Sequence, residues 1–294
     1  MGRKEGKRMK KSIVIMVLCC FGLYYFLPFL GTVLYASSTS WGKTILPDDF
    51  TLTWFSQLLS DQNFLEAVGR SLFLAGVVLL TILGLMIPTI IWIYLFAPRL
   101  NRLMEKLVLL PYAIPGIILV TALLQTYSKT ELPMFLVLIG ALFITTLPIV
   151  FLGITNQMRL INMRELIDAA TTLGASTKTI LFRVLFPNIR IGTTLVSLMV
   201  FSAVFGEYML TNLLIGGRFE TVRIYMLKRM NENGHLASAV IVMYFLLMTV
   251  IALLTFVITN RQKKKLWLKG QHSIKQCSIS VKEGVTVENV LGNS

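Results

Sequence analysis

Few side chains in this sequence are suited to chemistry. The histidines are His235 and His272, and the cysteines are Cys19, Cys20 and Cys277. Adjacent cysteines rarely join in a disulfide, and none of these spacings matches a metal-binding motif. Neither histidine falls within a predicted membrane span, and no set of nucleophile, base and acid can be assembled around either one. The sequence therefore predicts no catalytic residue and no metal site.

The string WGKT, at residues 41–44, resembles part of a nucleotide-binding loop. Such a loop needs a glycine five residues before its second glycine, and Ser37 occupies that position. No strand pattern precedes the string, although the motif requires one. We therefore expect no cofactor in this chain and no ATP site of its own.

One carboxylate has an unusual place in the sequence. Glu207 is the only acidic residue deep within a long apolar run, Tyr208 follows it, and Gln125 lies near the end of another run. A carboxylate inside a membrane is costly and marks either a transport pathway or a buried partner. Glu207, Tyr208 and Gln125 are thus candidate pathway residues. A helix-to-helix hydrogen bond, or a neutral protonated acid, is the open alternative for Glu207.

The composition is that of a membrane protein. The 294 residues are 55% hydrophobic and 14% charged, and the mean hydropathy is +0.73. A soluble domain has fewer apolar and more charged residues. The formal net charge is +14, but the basic residues mostly flank apolar runs, which favours membrane orientation over nucleic-acid binding.

Six apolar runs are long enough to cross a hydrocarbon core, which takes about 20 residues. They are approximately Ile13–Ala36, Ser71–Phe96, Leu107–Tyr127, Leu132–Ile154, Gly192–Leu214 and Ala237–Thr259. The first run is too long for a secretory signal and lacks a clear cleavage site, so we expect an uncleaved span. The sequence predicts an all-α integral membrane protein with six transmembrane helices. An amphipathic helix is expected in the outer loop, 37–65.

The basic residues are concentrated on one side of these spans. Of the 28 lysines and arginines, 21 lie at 1–12, at 97–106, at 155–190 or after Thr259. Cytoplasmic loops carry such an excess of basic residues. We therefore expect both termini in the cytoplasm, with a basic N-terminal segment at 1–12 and a tail at 261–294.

The loop between the fourth and fifth runs contains the string NMRELIDAATTLGASTKTILFRVLFP. Asn162 followed by Glu165 predicts a capped helix start, and Gly174 suits the left-handed position that ends a helix. Ser176 can cap a second helix, which Pro187 is expected to end. The pattern predicts a rigid helix–turn–helix in the cytoplasm.

The two short helices differ in character. Ala169 and Ala170 are expected to give the first helix a small face that enters a groove of a partner. The second helix has one apolar stripe with basic residues outside it. The stripe comprises Ile180, Leu181, Val184 and Leu185. The alternative is that the loop lies on the membrane surface, as amphipathic helices often do.

The string DAATTLGAS, followed by Phe186 and Pro187, closely resembles the cytoplasmic EAA loop of binding-protein-dependent ABC importer permeases. The family positions are occupied by Asp168, Ala169, Ala170, Gly174, Ala175 and Pro187. The departures are aspartate for the family's glutamate and Phe186 where leucine usually precedes the proline. The resemblance covers about residues 66–260, including the strings LPYAIPG and FGEYMLTNLLIGG.

The resemblance implies a type I ABC importer permease fold, with 66–260 as its five-helix transmembrane domain. It implies that the loop at 155–190, Glu165 included, docks into a cytoplasmic ATP-binding subunit that forms a dimer and holds ATP and Mg. A second permease subunit, identical or homologous, and an external substrate-binding protein complete the implied assembly in a bacterial inner (plasma) membrane.

The LPYAIPG and GEY stretches are most similar to permeases for polyamines, iron, thiamine and phosphonates. The substrate expected from this is a small organic or mineral ion. An importer permease for another substrate, such as a sugar, is the alternative within the family. A secondary transporter is less favoured, because we find no inverted repeat and only one intramembrane ionisable group. A membrane enzyme is disfavoured by the lack of a catalytic set.

Overall fold

The computed structural model describes residues 2–42, 47 and 49–261, with side chains from Ile13 onward. The described residues are almost entirely helical, and the predicted all-α fold is confirmed. The predicted tail at 261–294 lies outside the described residues after Arg261. The helices, in chain order, are α1 (Gly2–Ala36), α2 (Thr53–Ser60), α3 (Gln62–Phe96), α4 (Pro98–Leu107), α5 (Leu110–Ala113), α6 (Gly116–Tyr127), α7 (Met134–Leu160), α8 (Met163–Thr172), α9 (Thr177–Phe205), α10 (Met209–Leu214), α11 (Val222–Glu232) and α12 (Gly234–Arg261).

Five helices of the described part are long and apolar enough to cross a membrane, namely α1 from Ile13, α3, α7, α9 and α12. The stretch Pro98–Ala113 passes the same test together with α6, as a broken span, which brings the number to six. The predicted count of six spans agrees with this number. The predicted loop at 37–65 also contains the expected helix, α2, which ends just before Asp61 and the start of α3.

The third predicted span, Leu107–Tyr127, is broken into two helices in the structure. Ile114 and Pro115 are extended, with φ/ψ of −92°/118° and −57°/132°, and they separate α5 from α6. Proline has no N–H to donate, and its ring disfavours a helical conformation of the residue before it. The helix therefore stops before Pro115 and starts again after it.

The fifth predicted span, Gly192–Leu214, is displaced along the chain. The helix α9 starts at Thr177 and ends at Phe205, and α10 begins only at Met209. Pro187 does not end the second helix of the loop, as predicted, but lies inside α9 after a π-helical stretch, Ile180–Leu185. Hydrogen bonds in a π turn join residues five apart, so the α-helical pattern that proline disrupts is already changed there.

The described residues divide into two compact units. The first comprises the described residues of Met1–Val77, Pro115–Leu142 and Val204–Met248. The second comprises those of Val78–Ile114, Phe143–Ala203 and Thr249–Ser294. The candidate pathway residues belong to the first unit, and the predicted coupling loop belongs to the second.

In the first unit, a polar cluster fixes α11 to the start of α3. The Tyr225 hydroxyl donates to the Asp61 carboxylate at 2.6 Å, and Arg229 donates to the same oxygen at 3.2 Å. The hydrogen bond from Tyr225 lowers the pKa of Asp61, and burial raises the pKa of Tyr225 to about 12. The Val222 amide donates to the buried Ser71 hydroxyl at 2.9 Å. These bonds hold α11 against α3 with an ionised carboxylate at neutral pH.

His235 joins the end of α1 to the start of α12 in the same unit. Its Nδ1 lies 2.8 Å from the Tyr35 carbonyl oxygen. Its ring stacks on Tyr35 at a centroid distance of 4.1 Å and on Trp54 at 5.7 Å. We expected neither histidine in a span, but α12 begins at Gly234 and includes His235. His272 lies outside the described residues.

In the second unit, α7 and α9 cross at close range. A Cβ atom on Gly153 would lie 2.4 Å from Cγ2 of Val196, and one on Gly192 would lie 2.5 Å from Cγ of Gln157. The absence of a side chain at these two glycines therefore lets the antiparallel helices approach each other. This crossing holds the two helices from which the segment 161–176 projects.

Candidate functional site

The segment between α7 and α9 carries the short helix α8, and Asn162 turns the chain into it. The Asn162 backbone is left-handed, with φ 46° and ψ 51°, a conformation that asparagine tolerates. The predicted capping arrangement of Asn162 and Glu165 is wrong, because Asn162 makes no side-chain cap bond in this conformation. The Leu166 amide donates instead to the Asn162 carbonyl at 3.3 Å. Asn162 thus acts through its backbone.

Gly174 ends α8 in the left-handed conformation that the sequence predicts, with φ 75°. The Ala175 amide donates to the Ala170 carbonyl at 3.0 Å, and the Gly174 amide donates to the Thr171 carbonyl at 2.9 Å. This pair of bonds is the Schellman motif, which satisfies carbonyls that a helix end would leave without partners. A Cβ atom at Gly174 would meet nothing within 4 Å. The requirement for glycine is therefore one of backbone conformation and not of space.

Ser176 starts the next helix as predicted. Its Oγ accepts a hydrogen bond from the Thr179 amide at 3.4 Å. In the apolar stripe, Ile180 and Leu185 are buried. Arg183, which lies outside the stripe, is exposed. This stretch of α9 packs against α8. The loop is thus a compact helix–turn–helix whose second helix continues into a membrane span without a break.

The helix α8 has an inward and an outward face. Met163 is fully buried, and Ile167 and Ala170 are half-buried. Successive helical residues are about 100° apart, so Ala169 is exposed whereas Ala170 is half-buried, and the entry of both alanines into a partner's groove stays a prediction. The exposed side chains of the outward face belong to Glu165, Leu166, Asp168, Ala169, Thr172 and Leu173.

This outward face combines negative charge with apolar surface. The Glu165 and Asp168 carboxylates have no ion-pair or hydrogen-bond partner among the described residues. Leu173 is 87% exposed at the tip of the turn. An acidic surface with an exposed leucine fits a groove with basic and apolar lining.

Arg164 anchors α8 to the end of α3 within the second unit. Its Nη2 donates to the Tyr94 carbonyl near the end of α3 at 2.9 Å, and its guanidinium lies 5.4 Å from the centre of the Tyr94 ring. A cation near the last carbonyls of a helix is favoured by the helix dipole, and the ring adds a cation–π contact. In the sequence, Arg164 is one of the basic residues that indicate membrane orientation. No local pattern pairs it with a residue 70 positions earlier.

A second contact fixes the end of α7 to α4. Arg159 forms an ion pair with Glu105, and the Asn101 amide group donates to the same carboxylate at 2.6 Å. Asn101 is 6% exposed, so this side of α4 is packed inside the unit. The base of the loop is therefore held by polar contacts that no local sequence pattern indicates.

Glu207 lies in the non-helical stretch between α9 and α10, where its carboxylate caps α10. One oxygen accepts from the Leu210 amide at 2.7 Å, and the other accepts from the Thr211 amide at 2.9 Å and the Thr211 hydroxyl at 2.7 Å. A carboxylate at a helix N-terminus satisfies free amides and is favoured by the dipole. The half-buried side chain thus has an internal partner, and its role in a pathway stays a prediction.

The other two candidate pathway residues lie apart from this cap. The Tyr208 hydroxyl accepts from the Asn212 amide group at 3.1 Å, and Gln125 is exposed on α6. The start of α6 meets the start of α10, because a Cβ atom on Gly116 would lie 2.2 Å from Cε of Met209. The helices α6 and α10, each of which follows an interruption of a membrane-spanning helix, therefore pack together in the first unit.

Comparisons with known proteins agree with this architecture. The family described as "Binding-protein-dependent transport system inner membrane component" matches residues 86–266, more than half of the chain. Among solved structures, the chain is similar to a bacterial ABC transporter involved in the import of the acidic polysaccharide alginate, with a TM-score of 0.64 at 15% identity over 87% of this chain and 98% of that one. A second is a bacterial alginate ABC transporter in complex with alginate pentasaccharide-bound periplasmic protein, with a TM-score of 0.62 at 15% identity over 87% and 96% of the two chains. At this identity the likeness shows the fold.

Glu207→Gln tests the cap. The amide offers one acceptor oxygen and places an NH₂ group opposite a backbone donor, so we expect a loss of about 1–2 kcal/mol in stability and a lower Tm of the purified chain. Glu66→Gln is the control, because the Glu66 carboxylate is exposed and bonded only to the neighbouring side chains of Arg70 and, at 3.4 Å, Gln62, and not to backbone amides. An unchanged Tm of the Glu207 variant would contradict the cap and favour a carboxylate reserved for the pathway.

Arg164→Gln tests the anchor of α8. We expect amide hydrogen exchange in α8 to become about tenfold faster, since a charged hydrogen bond and a ring contact are lost. Tyr94→Phe is the matched control, because it keeps the ring and the backbone carbonyl. Equal exchange in the wild-type chain and the Arg164 variant would show that α8 is held by its own turn and the apolar stripe alone.

Proposed function

Because the chain belongs to the family of binding-protein-dependent transport system inner membrane components, we propose that α8 is the element through which a separate ATPase drives this importer permease. The observation that carries the proposal is the outward face of α8. This face is exposed and combines acidic with apolar side chains. The buried inward face of α8 and the hydrogen bond of Arg164 fix the helix to the rest of the unit. A short helix with fixed ends transmits a domain motion better than a flexible loop does.

The partner in this proposal is a dimer of cytoplasmic ATP-binding subunits, which would hold ATP and Mg. The permease is a transport component, so hydrolysis belongs to the partner. A second permease subunit, identical or homologous, would form the other half of the pathway. A binding protein outside the membrane would deliver the substrate, in keeping with the family's name. A complex with a periplasmic protein is described for one of the similar transporters.

The proposed orientation places both termini and α8 in the cytoplasm. It is supported by the excess of basic residues at 1–12, 97–106, 155–190 and after Thr259. The structure agrees with that placement in two of these segments. Arg102 on α4 and Arg183 on α9 are both exposed.

We infer that the substrate is a small organic or mineral ion of the polyamine, phosphonate, iron or thiamine type. The support is the similarity of the LPYAIPG and GEY stretches to permeases of that group. The capped Glu207 carboxylate adds no support for a cation, because three donors from its own chain already engage it. A sugar is the second candidate, and it is favoured by the fold shared with the alginate transporters. Uptake of each labelled substrate class, in cells with and without the gene, tests the choice.

Accessibility of introduced cysteines checks the orientation. In a chain without Cys19, Cys20 and Cys277, we expect Lys129→Cys to react with a membrane-impermeant thiol reagent on intact cells. In cells that lack the ATPase subunit, Leu173→Cys should react only after the cells are made permeable, because its exposed position would face the cytoplasm. Labelling of Leu173→Cys alone on intact cells would reverse the orientation and exclude docking to a cytoplasmic ATPase.

Two substitutions of Gly174 test whether docking depends on the left-handed backbone conformation at this position or on glycine itself. A residue with a side chain in the left-handed region costs about 1–2 kcal/mol, and a branched one costs more, so Gly174→Val should turn α8 away from its docking position. Gly174→Asn should keep it, since Asn162 already adopts a left-handed conformation in this chain.

The readout is the amount of ATPase subunit that copurifies with each variant, together with substrate uptake. We expect the valine variant to reach the membrane at a normal level and to lose most of both. The asparagine variant should keep both. If valine transports as well as glycine, with a full complement of ATPase, α8 is not the coupling element.

A further inference from the structure

The helix α4, which links α3 to the broken span, has three separate faces. One faces the rest of the second unit, with Asn101 buried and Glu105 half-buried. The second face is basic and exposed, and it comprises Arg99, Arg102 and Lys106. The third is apolar and comprises Leu100, Leu103 and Leu107, which are 38%, 51% and 43% exposed.

The basic face and the leucine face are both exposed to solvent in the part of the chain that the structure describes. The three basic side chains make no ion pair or hydrogen bond within the described part of the chain. The three leucines lie side by side at positions i, i+3 and i+7, so they form one continuous apolar strip. In water, that strip would be an unfavourable exposed surface. An apolar strip bordered by arginine and lysine is typical of helices that lie in a membrane interface.

The aromatic residues just before α4 indicate how deep this helix lies in the membrane. Trp92 and Phe96 are 57% and 70% exposed in the last turn of α3, and their ring centres are 6.3 Å apart. Exposed tryptophan at the end of a span lies at the level of the lipid headgroups. Since α4 begins two residues after Phe96 and leads back into an apolar stretch, it runs along that level and does not project into solvent.

We propose that α4 lies in the interface of the inner leaflet and binds anionic phospholipid headgroups through Arg99, Arg102 and Lys106. Charge complementarity selects the occupant, because basic residues at a membrane surface attract anionic lipids more strongly than zwitterionic ones. The leucine strip enters the acyl boundary beside them. The side of the membrane rests on the orientation proposed above, whereas the contact with lipid does not.

The bound lipid would also support the coupling segment. Asn101 and Glu105, on the inward face of α4, hold Arg159 at the end of α7. Only two residues separate α7 from α8. Anionic lipid bound to the basic face of α4 would therefore fix this helix in place. The base of the coupling segment is held against the same helix through Arg159.

The test uses the assembled transporter in lipid discs, with a bimane fluorophore on Leu103→Cys in a chain without its native cysteines. Two sets of discs hold the same mixture of phosphatidylglycerol and phosphatidylcholine, with bromine on one lipid or the other. We expect brominated phosphatidylglycerol to quench the fluorophore about threefold more per mole than brominated phosphatidylcholine, and the excess to fall as salt rises. Both leaflets have the same composition, so the result is independent of orientation and of ATPase coupling.

The triple variant R99Q/R102Q/K106Q should lower this ratio to about one, because the headgroup attraction is lost while Leu100, Leu107 and the apolar fluorophore between them remain. The control R218Q/R223Q/K228Q removes the same charge from exposed residues of the first unit and should leave the ratio unchanged. Equal quenching by both lipids in the parent chain would overturn the anionic preference. Quenching by neither lipid would show that α4 lies off the membrane. If emission then shifts when the ATPase subunit is removed from the discs, this surface belongs to the ATPase.

Discussion

The backbone of a chain in hydrocarbon must satisfy its own hydrogen bonds, and this constraint governs the rest of the structure. It explains why nearly every described residue is helical and why each interruption has a compensating feature. Pro115 has no amide hydrogen that a broken helix would leave without a partner. After the second interruption, the Glu207 carboxylate takes up amides at the start of α10. A charged group that looks costly in the sequence is thus part of what makes a break in the helix tolerable.

The same requirement shapes the segment that leaves the membrane. The last carbonyls of α8 are satisfied by the Schellman bonds around Gly174, and the next helix starts on the Ser176 hydroxyl. Because both ends of the turn are closed by hydrogen bonds, little freedom remains for α8 to move independently of α9. In the proposed mechanism, a push on the outward face of α8 would therefore be passed to a helix that continues into the membrane. The π-helical stretch and Pro187 lie along that route.

Polar contacts over long sequence distances place this segment relative to its own unit. Arg164 reaches the end of α3, and Arg159 reaches Glu105 on α4. The two arginines lie at either side of the turn into α8, so they hold its beginning from two directions. The glycine crossing of α7 and α9 supplies the apolar part of the same support. Membrane helices often combine small residues and polar contacts in this way.

Local patterns in the sequence determined the helical class, the number of spans, the left-handed Gly174 and the Ser176 cap. Each depends on hydropathy over about 20 residues or on backbone preferences within one turn. Only the tertiary structure decided that Ala170 packs inward, that Arg164 binds Tyr94, and that the Glu207 carboxylate caps α10. It also showed where α9 begins and ends, because apolar runs measure compatibility with lipid and not the points at which a helix breaks. These outcomes depend on which helix faces which, and a single sequence carries no local signal for a contact between residues 70 positions apart.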